Sequence, residues 1–191
     1  MSHKVSPLQL PLHACPPKVN IGDDFDLRQL HLRSMGWPPH AFDRPVEILP
    51  MIWLSGIGFD ADIPAWCRQN NFTHLINTAG YFARAGYYKT HPNDNGLKYL
   101  ELDIEDTPRF NMKPSISKLY EFLQDVHDKK GKVLIHCIWG QSRSVACLMA
   151  FLMLDQNIDY DNALNIVKKA RPIALPNPGF EAQLRSLNRS V

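Results

Sequence analysis

The chain has 191 residues, the size of one domain, and its 45% apolar and 21% charged residues are the composition of an ordinary globular protein. A net charge of +2 without a run of Lys or Arg argues against a general nucleic-acid binder, and no apolar stretch reaches the ~18 residues of a membrane span. The four cysteines are widely spaced, which argues against a zinc site and a disulfide scaffold. Because the N-terminus also lacks the apolar run of a signal peptide, we expect an intracellular protein, cytoplasmic with the nucleus as the alternative.

The N-terminal part of the chain is expected to lie outside the main domain. Residues 1–22 contain four prolines and are predicted to form a mobile leader. Residues 23–43 open with apolar residues at helical spacing that end near Gly36, which predicts a helical extension. The main domain is then expected over residues 44–191.

The first half of this domain is predicted to contain mostly strands. In order, the patterns indicate a strand over 46–54, or a hairpin that turns at Pro50, then a helix over 63–69, and strands over 72–77 and 97–102. The connection between the last two strands, about twenty residues, is long for a compact domain. Its tyrosines and the cation Arg84 suit contact with a polar partner, and a partly ordered surface loop is the alternative.

The second half is predicted to be mainly helical. The patterns indicate a helix over 114–130, a short apolar strand over 133–135, a strongly apolar helix over 142–154, and further helices over 159–170 and 179–187. The fully apolar strand is typical of a mid-sheet position, and the apolar helix of a central one. Strands that alternate with helices predict an α/β domain with a central, mostly parallel sheet flanked by helices.

The segment between that apolar strand and helix, His136 to Ser144, predicts an anion site. A loop at a helix N-terminus presents unpaired N–H groups and a favourable dipole to negative charge. Gly140 allows a positive φ or a close approach to a ligand, and Arg143 offers a fork of donors matched to phosphate oxygens. Thiols ionise more readily in such surroundings, so Cys137 is a candidate nucleophile beside the bound phosphate.

This segment resembles the signature of the cysteine-dependent protein tyrosine phosphatases: His-Cys, five residues, Arg, then Ser or Thr. The run Asn177-Pro178-Gly179-Phe180 and the strand end at Asn77 also resemble the small, atypical dual-specificity phosphatases. The likeness covers about residues 44–189. It implies a protein tyrosine phosphatase-like fold and a catalytic domain over 44–191, with no metal or other cofactor.

The resemblance also implies roles for individual residues. Cys137 would be the nucleophile and Arg143 the phosphate clamp, and Ser144 would donate a hydrogen bond to the sulfur as it leaves. His136 would order the loop and support the thiolate. The backbone donors to the phosphate would come from Ile138, Trp139, Gly140, Gln141 and Ser142, with Asn177 bracing the loop. Apart from the resemblance, the positive charges of Arg84 and Lys89 in the long connection make them candidates to contact acidic residues beside the phosphorylated one.

A general acid is expected on the loop after the strand over 97–102. An acid there can protonate the leaving oxygen and then activate water for the second step. Asp106 matches the family's position for this residue, about thirty residues before the cysteine. Asp103 and Glu105 are the competitors, and all three could merely cap the following helix.

The substrate is expected to be a phosphorylated protein. The variable loop positions add no cation, which argues against polyphosphorylated lipids and RNA triphosphates, and a phosphatase for an RNA 5′ phosphate or a phospholipid is the alternative enzyme. A phosphate-binding pseudophosphatase is the other alternative, although the residues such proteins usually lose are present here. Trp139 is unusual at its position and either stacks on substrate or, the favoured reading, packs on a neighbouring loop. Cys67 and Cys147 are candidate redox partners of Cys137, with Cys147 better explained as core.

Overall fold

The computed structural model describes residues 44–60, 62–80 and 96–187. The predicted leader, the predicted helical extension and Arg84 therefore lie outside the described residues. Within them, one five-stranded sheet is formed by β1 (Val46–Leu49), β2 (Ile52–Ser55), β3 (His74–Asn77), β4 (Lys98–Glu101) and β5 (Val133–His136). The strand order is β1-β2-β5-β3-β4.

The sheet is mostly parallel, as predicted. Only β1 and β2 pair antiparallel, through a tight turn at Pro50 and Met51, which confirms the hairpin interpretation of this segment. The pairs β2–β5, β3–β5 and β3–β4 are parallel. The apolar strand β5 lies in the middle of the sheet, where both faces are covered, and this explains its continuous apolar run.

Five helices lie in the described part of the chain, at the places where the sequence predicted them. They are α1 (Ile63–Gln69), α2 (Lys113–Asp128), α3 (Arg143–Gln156), α4 (Tyr160–Ala170) and α5 (Pro178–Leu187). Pro64 lies in the first turn of α1, where its missing N–H leaves no helical bond unmade. Asp159 caps α4 by accepting a hydrogen bond from the backbone N–H of Asn162 over 2.8 Å.

Helix α3 is the centre of the packing. Residues 143–153 are all buried, and they contact β2, β5 and the helices α2, α4 and α5. A helix that is apolar on every side is expected where neighbours surround it, and the central position predicted from the sequence is confirmed. The strand β5 leads directly to this helix, so the loop between them is fixed at both ends by buried elements.

Parallel pairing also fixes what surrounds that loop. In the register of the sheet, His136 at the end of β5 lies between Ser55 at the end of β2 and Asn77 at the end of β3. The three carboxyl ends meet at one edge, which is where parallel α/β sheets bind ligands. The predicted anion site is therefore at the expected edge of the sheet.

Candidate active site

The loop from Cys137 to Ser142 connects β5 to α3. At its middle, Gly140 has φ +61°, which a glycine adopts without strain. A Cβ atom at this position would lie 2.6 Å from the backbone carbonyl oxygen of Ser55 and would also collide with the Arg171 guanidinium. Both the backbone angle and the close packing therefore require glycine here.

Four consecutive carbonyl groups of this phosphate loop, as we call residues 137–142, accept hydrogen bonds from outside it. The donors are the Ile57 N–H for Ile138 (3.0 Å), the Arg171 guanidinium for Trp139 (3.2 Å) and for Gly140, and the Leu175 N–H for Gln141 (2.9 Å). In a planar trans peptide the N–H of the next residue points the opposite way from the carbonyl. The loop amides therefore face inward, and the Gly140 N–H lies 3.1 Å from the Cys137 Sγ.

The sulfur of Cys137 receives a second hydrogen bond from the hydroxyl of Ser144, over 3.3 Å. Two donors directed at the sulfur can stabilise the negative charge that it carries when it leaves phosphorus. Ser144 lies in the first turn of α3, so its hydroxyl is held by a buried helix. The geometry fits the role that the family resemblance implies for Ser144.

His136 is completely buried next to the nucleophile. Burial, reinforced by the nearby charge of Arg143, lowers the pKa of His136 from its usual 6.5 to about 3. Its backbone carbonyl accepts hydrogen bonds from the N–H (2.9 Å) and the hydroxyl (2.8 Å) of Thr78, at the end of β3. A neutral imidazole adds no positive charge to the site, so the contribution of His136 fits an ordering role.

Asp106 is the carboxylate that the structure places against the phosphate loop. It accepts hydrogen bonds from the Ser142 hydroxyl (2.7 Å) and the Asn177 side-chain amide (3.0 Å), and its Oδ2 lies 3.4 Å from Nε of Arg143. All three acids belong to the exposed residues, but in the described part of the chain neither Asp103 nor Glu105 forms a hydrogen bond or ion pair with the phosphate loop. This arrangement favours Asp106 as the general acid.

Asn177 connects the acid to the phosphate loop. Its side-chain oxygen caps α5 by accepting from the N–H groups of Gly179 and Phe180, each over 3.0 Å. Its backbone N–H donates to the Ser142 hydroxyl over 3.1 Å, while its amide group holds Asp106. Asn177 therefore braces both the loop, as the resemblance implies, and the acid.

Two residues of the site were missed by sequence reasoning. Arg171 follows the last residue of α4 and is only 4% exposed, yet Arg-Pro at a helix end indicates nothing more than the end of that helix. Thr78 directly follows the strand end at Asn77, and nothing in its sequence context indicates the bonds that it donates to His136. Trp139 keeps 38% of its surface exposed. Whether it stacks on a substrate or packs on a neighbouring loop stays a prediction.

The other cysteines in the described ranges are buried and unpaired. Burial raises the pKa of both the Cys67 and the Cys147 thiol well above the usual range. A protonated, enclosed thiol is a poor partner for disulfide exchange, so the structure favours the core interpretation of Cys147 and disfavours Cys67 as a redox partner. No group of His, Cys, Asp and Glu among residues 44–60, 62–80 and 96–187 is arranged to hold a metal ion.

Comparisons with known proteins agree with this geometry. The family model described as dual specificity phosphatase, catalytic domain, matches residues 58–190, more than half of the chain. Dual specificity protein phosphatase 19 of Mus musculus is 34% identical over 119 residues, which are 62% of this chain and 51% of that protein. Dual specificity protein phosphatase 15 of Mus musculus is 30% identical over 138 residues, 72% of this chain and 55% of that protein. The chain thus spans about half the length of these relatives.

Solved structures show the same fold. The human tyrosine phosphatase-like serine/threonine/tyrosine-interacting protein superposes with a TM-score of 0.67 at 28% identity, covering 77% of this chain and 97% of that one. None of the helices in the described ranges has the length and apolar character needed to cross a membrane. The sheet, the loop and the matched residues all agree with the fold expected from the sequence.

Proposed function

The chain belongs to the dual specificity phosphatase family, and from that membership we propose that it hydrolyses phosphate esters of proteins through a cysteinyl-phosphate intermediate. The observation that carries the proposal is that a nucleophile with its donors, and an acid beside the phosphate clamp, lie on or against one loop. The Cys137 sulfur accepts from the Gly140 amide and the Ser144 hydroxyl, and Asp106 is held beside Arg143. These are the parts that a two-step displacement at phosphorus requires.

In the first step, the thiolate of Cys137 attacks phosphorus and the bond between phosphorus and the ester oxygen breaks. Arg143 and the inward-facing amides of the phosphate loop stabilise the charge on the non-bridging oxygens. Asp106, in its protonated form, gives its proton to the leaving oxygen of the side chain. The products of this step are the dephosphorylated residue and a phosphoryl group on sulfur.

In the second step, water attacks the phosphoryl group and the bond between sulfur and phosphorus breaks. Asp106, now ionised, accepts the proton of the water, and inorganic phosphate leaves. The Ser144 hydroxyl stabilises the departing thiolate through the hydrogen bond that it already makes to Sγ. We therefore expect loss of the Ser144 hydroxyl to slow the second step more than the first.

Phosphoproteins are the substrate class that the loop supports best. Its variable side chains, from Ile138, Trp139, Gln141 and Ser142, carry no positive charge for a second phosphate. This composition disfavours a polyphosphorylated lipid or an RNA 5′ triphosphate. A pseudophosphatase is disfavoured because Cys137, Arg143 and Asp106 are all present and are brought together.

The test is hydrolysis of an aryl phosphate in the presence of a chelator, by wild type, Cys137→Ser and Asp106→Ala. We expect activity that survives chelation, disappears with the serine, and falls about 10²-fold or more with the alanine. Wild type that binds a phosphopeptide without turnover would support the binding-module alternative. Full activity of the Asp106→Ala variant would contradict this assignment and indicate that Asp103 or Glu105 is the general acid.

A substrate panel then separates the enzyme classes. Phosphotyrosine, phosphoserine and phosphothreonine peptides, an RNA 5′ phosphate and a phosphoinositide vesicle are compared at equal enzyme concentration. The proposal predicts the highest kcat/KM for a phosphopeptide.

We also propose an intracellular location, which the unpaired cysteines of the described residues support and which imaging of a fluorescent fusion checks.

A further inference from the structure

Arg171 is a buried cation that no step of the proposed reaction uses directly. Arginine is almost never enclosed unless its donors are satisfied, and this one is 4% exposed. Its guanidinium donates to three backbone carbonyls: to Gly140 through Nε, to Trp139 through Nη2 over 3.2 Å, and to Arg44 through Nη1 over 3.3 Å. Two of these three acceptors are consecutive members of the phosphate loop.

The two carbonyls determine where two amides point. The carbonyl of Trp139 shares a peptide plane with the N–H of Gly140, and the carbonyl of Gly140 shares one with the N–H of Gln141. Because the two groups of a trans peptide point in opposite directions, drawing both carbonyls outward turns both N–H groups inward. The result is visible at Gly140, whose N–H lies 3.1 Å from the Cys137 sulfur.

The backbone of Arg171 is also fixed beside the loop. The Arg171 N–H bonds to the Val167 carbonyl at the end of α4 over 2.9 Å, and the Arg171 carbonyl accepts from Ala174 over 3.0 Å. One residue further, the Leu175 N–H holds the Gln141 carbonyl. The segment after α4 therefore anchors three successive carbonyls of the phosphate loop, two of them through one side chain.

We propose that Arg171 is a positioning residue that holds the Gly140 and Gln141 amides toward the nucleophile and the bound phosphate. The proposal rests on the proposed function in so far as the phosphate belongs to a substrate. A planar guanidinium with donors in a fixed fork can bond two adjacent carbonyls at once, whereas a lysine ammonium is a point charge on a flexible stem. Its charge is also permanent, so the orientation of the loop does not depend on pH through this residue.

The test uses Arg171→Met and Arg171→Lys, with Arg185→Met as the matched control. Arg185 is an exposed arginine of α5 with ion pairs to Asp161 and Glu181, so its removal changes the net charge equally without touching the loop. Three quantities are measured: the pH profile of Cys137 alkylation by iodoacetamide, followed by mass spectrometry, the protection of Cys137 by inorganic phosphate, and kcat/KM for an aryl phosphate. Thermal melting is recorded for every variant.

For Arg171→Met, we expect the alkylation midpoint to move to higher pH, phosphate protection to weaken, and kcat/KM to fall by about 10- to 100-fold, less than for loss of an oxyanion donor itself. Arg171→Lys should keep the fold and lie between the wild type and the Met variant in all three, and Arg185→Met should match wild type. Melting that falls while alkylation and phosphate protection stay unchanged would overturn the proposal, leaving Arg171 a purely structural residue.

The same measurements also cover an Arg171→Met variant that does not fold and a wild type that shows no turnover. If Arg171→Met does not fold, Arg171→Lys with the alkylation profile and phosphate protection of wild type would also overturn the proposal. Alkylation and phosphate protection do not require turnover. A wild type that binds phosphate but hydrolyses nothing would therefore contradict the proposed function and still leave the role of Arg171 testable.

Discussion

At the scale of single residues, two serines at the junction of the phosphate loop and α3 have different partners. The hydroxyl of Ser144 donates to the Cys137 sulfur, and that of Ser142 donates to Asp106. Ser142 occupies the N-cap position of α3, where a serine usually bonds a free helical N–H, yet it makes no such bond. The local capping preference has given way to a contact that ties the acid to the loop.

His136 makes the stability of the domain depend on pH. Its pKa is about 3 when folded and near 6.5 when exposed, so above pH 6.5 it is neutral in both states. Below that value the unfolded chain takes up a proton that the folded chain excludes, and the free energy of unfolding falls with decreasing pH. One such proton gives a slope of up to about 1.4 kcal/mol per pH unit.

Chemical denaturation of wild type and His136→Gln between pH 7 and pH 4 measures this effect. We expect the wild type to lose stability more steeply than the variant below pH 6.5, because only the wild type contains His136. All other titratable groups are common to both proteins and change the two curves equally. His127→Gln, which removes an exposed histidine of α2, serves as the control and should parallel the wild type. Parallel curves for the wild type and His136→Gln would contradict the buried, neutral state of His136.

At the scale of elements, α5 packs against the loop that carries Asp106, residues 102–112 between β4 and α2, which we call the acid loop. Asn177 at its N-terminus holds Asp106, and Gly179 packs directly on the backbone of Pro108. A Cβ atom at Gly179 would lie 2.5 Å from the Pro108 carbonyl carbon and closer still to its oxygen. Backbone atoms cannot yield as the end of a flexible side chain can, so any larger residue at this position has to displace the acid loop.

Gly179→Ala should therefore impair proton donation more than phosphate binding. A weakly basic leaving group such as p-nitrophenolate needs less help from an acid than an alkyl oxygen does. We expect kcat to fall about 10-fold or more further for a phosphoserine peptide than for p-nitrophenyl phosphate. Ser186→Ala, on the exposed face of the same helix, should leave both rates unchanged. An equal loss on both substrates would contradict this prediction, because it would mean that the substitution does not act mainly on proton donation.

At the scale of the whole molecule, the site combines segments far apart in the chain. The nucleophile follows β5, the acid lies after β4, and the braces at Arg171 and Asn177 flank the last connection between helices. Parallel pairing of β2, β5 and β3 brings the strand ends to one edge, and the helices behind α3 return the C-terminal segment to it. The catalytic geometry is thus a product of the topology.

Much of this molecule was predictable from the sequence, and the exceptions have physical reasons. Elements such as β5 and α3 show strong apolar patterns, and the segment around Cys137 has a local signature. The role of Arg171 was not predictable, because burial of a cation depends on carbonyls that lie 31 and 32 positions away. The choice of Asp106 over Asp103 and Glu105 likewise depended on alignment with the family until the contacts of its carboxylate were visible.

The most direct measurement is to detect the phosphoryl group on Cys137 during turnover. Wild type and Ser144→Ala are mixed with an aryl phosphate, quenched in acid within the first turnovers, and digested for mass spectrometry. We expect the peptide that contains Cys137 to gain the mass of one phosphoryl group. The modified fraction should be higher in Ser144→Ala, because breakdown of the intermediate is slower there. Turnover without any phosphoryl group on Cys137 in either protein, or with it on another residue, would contradict the cysteine mechanism.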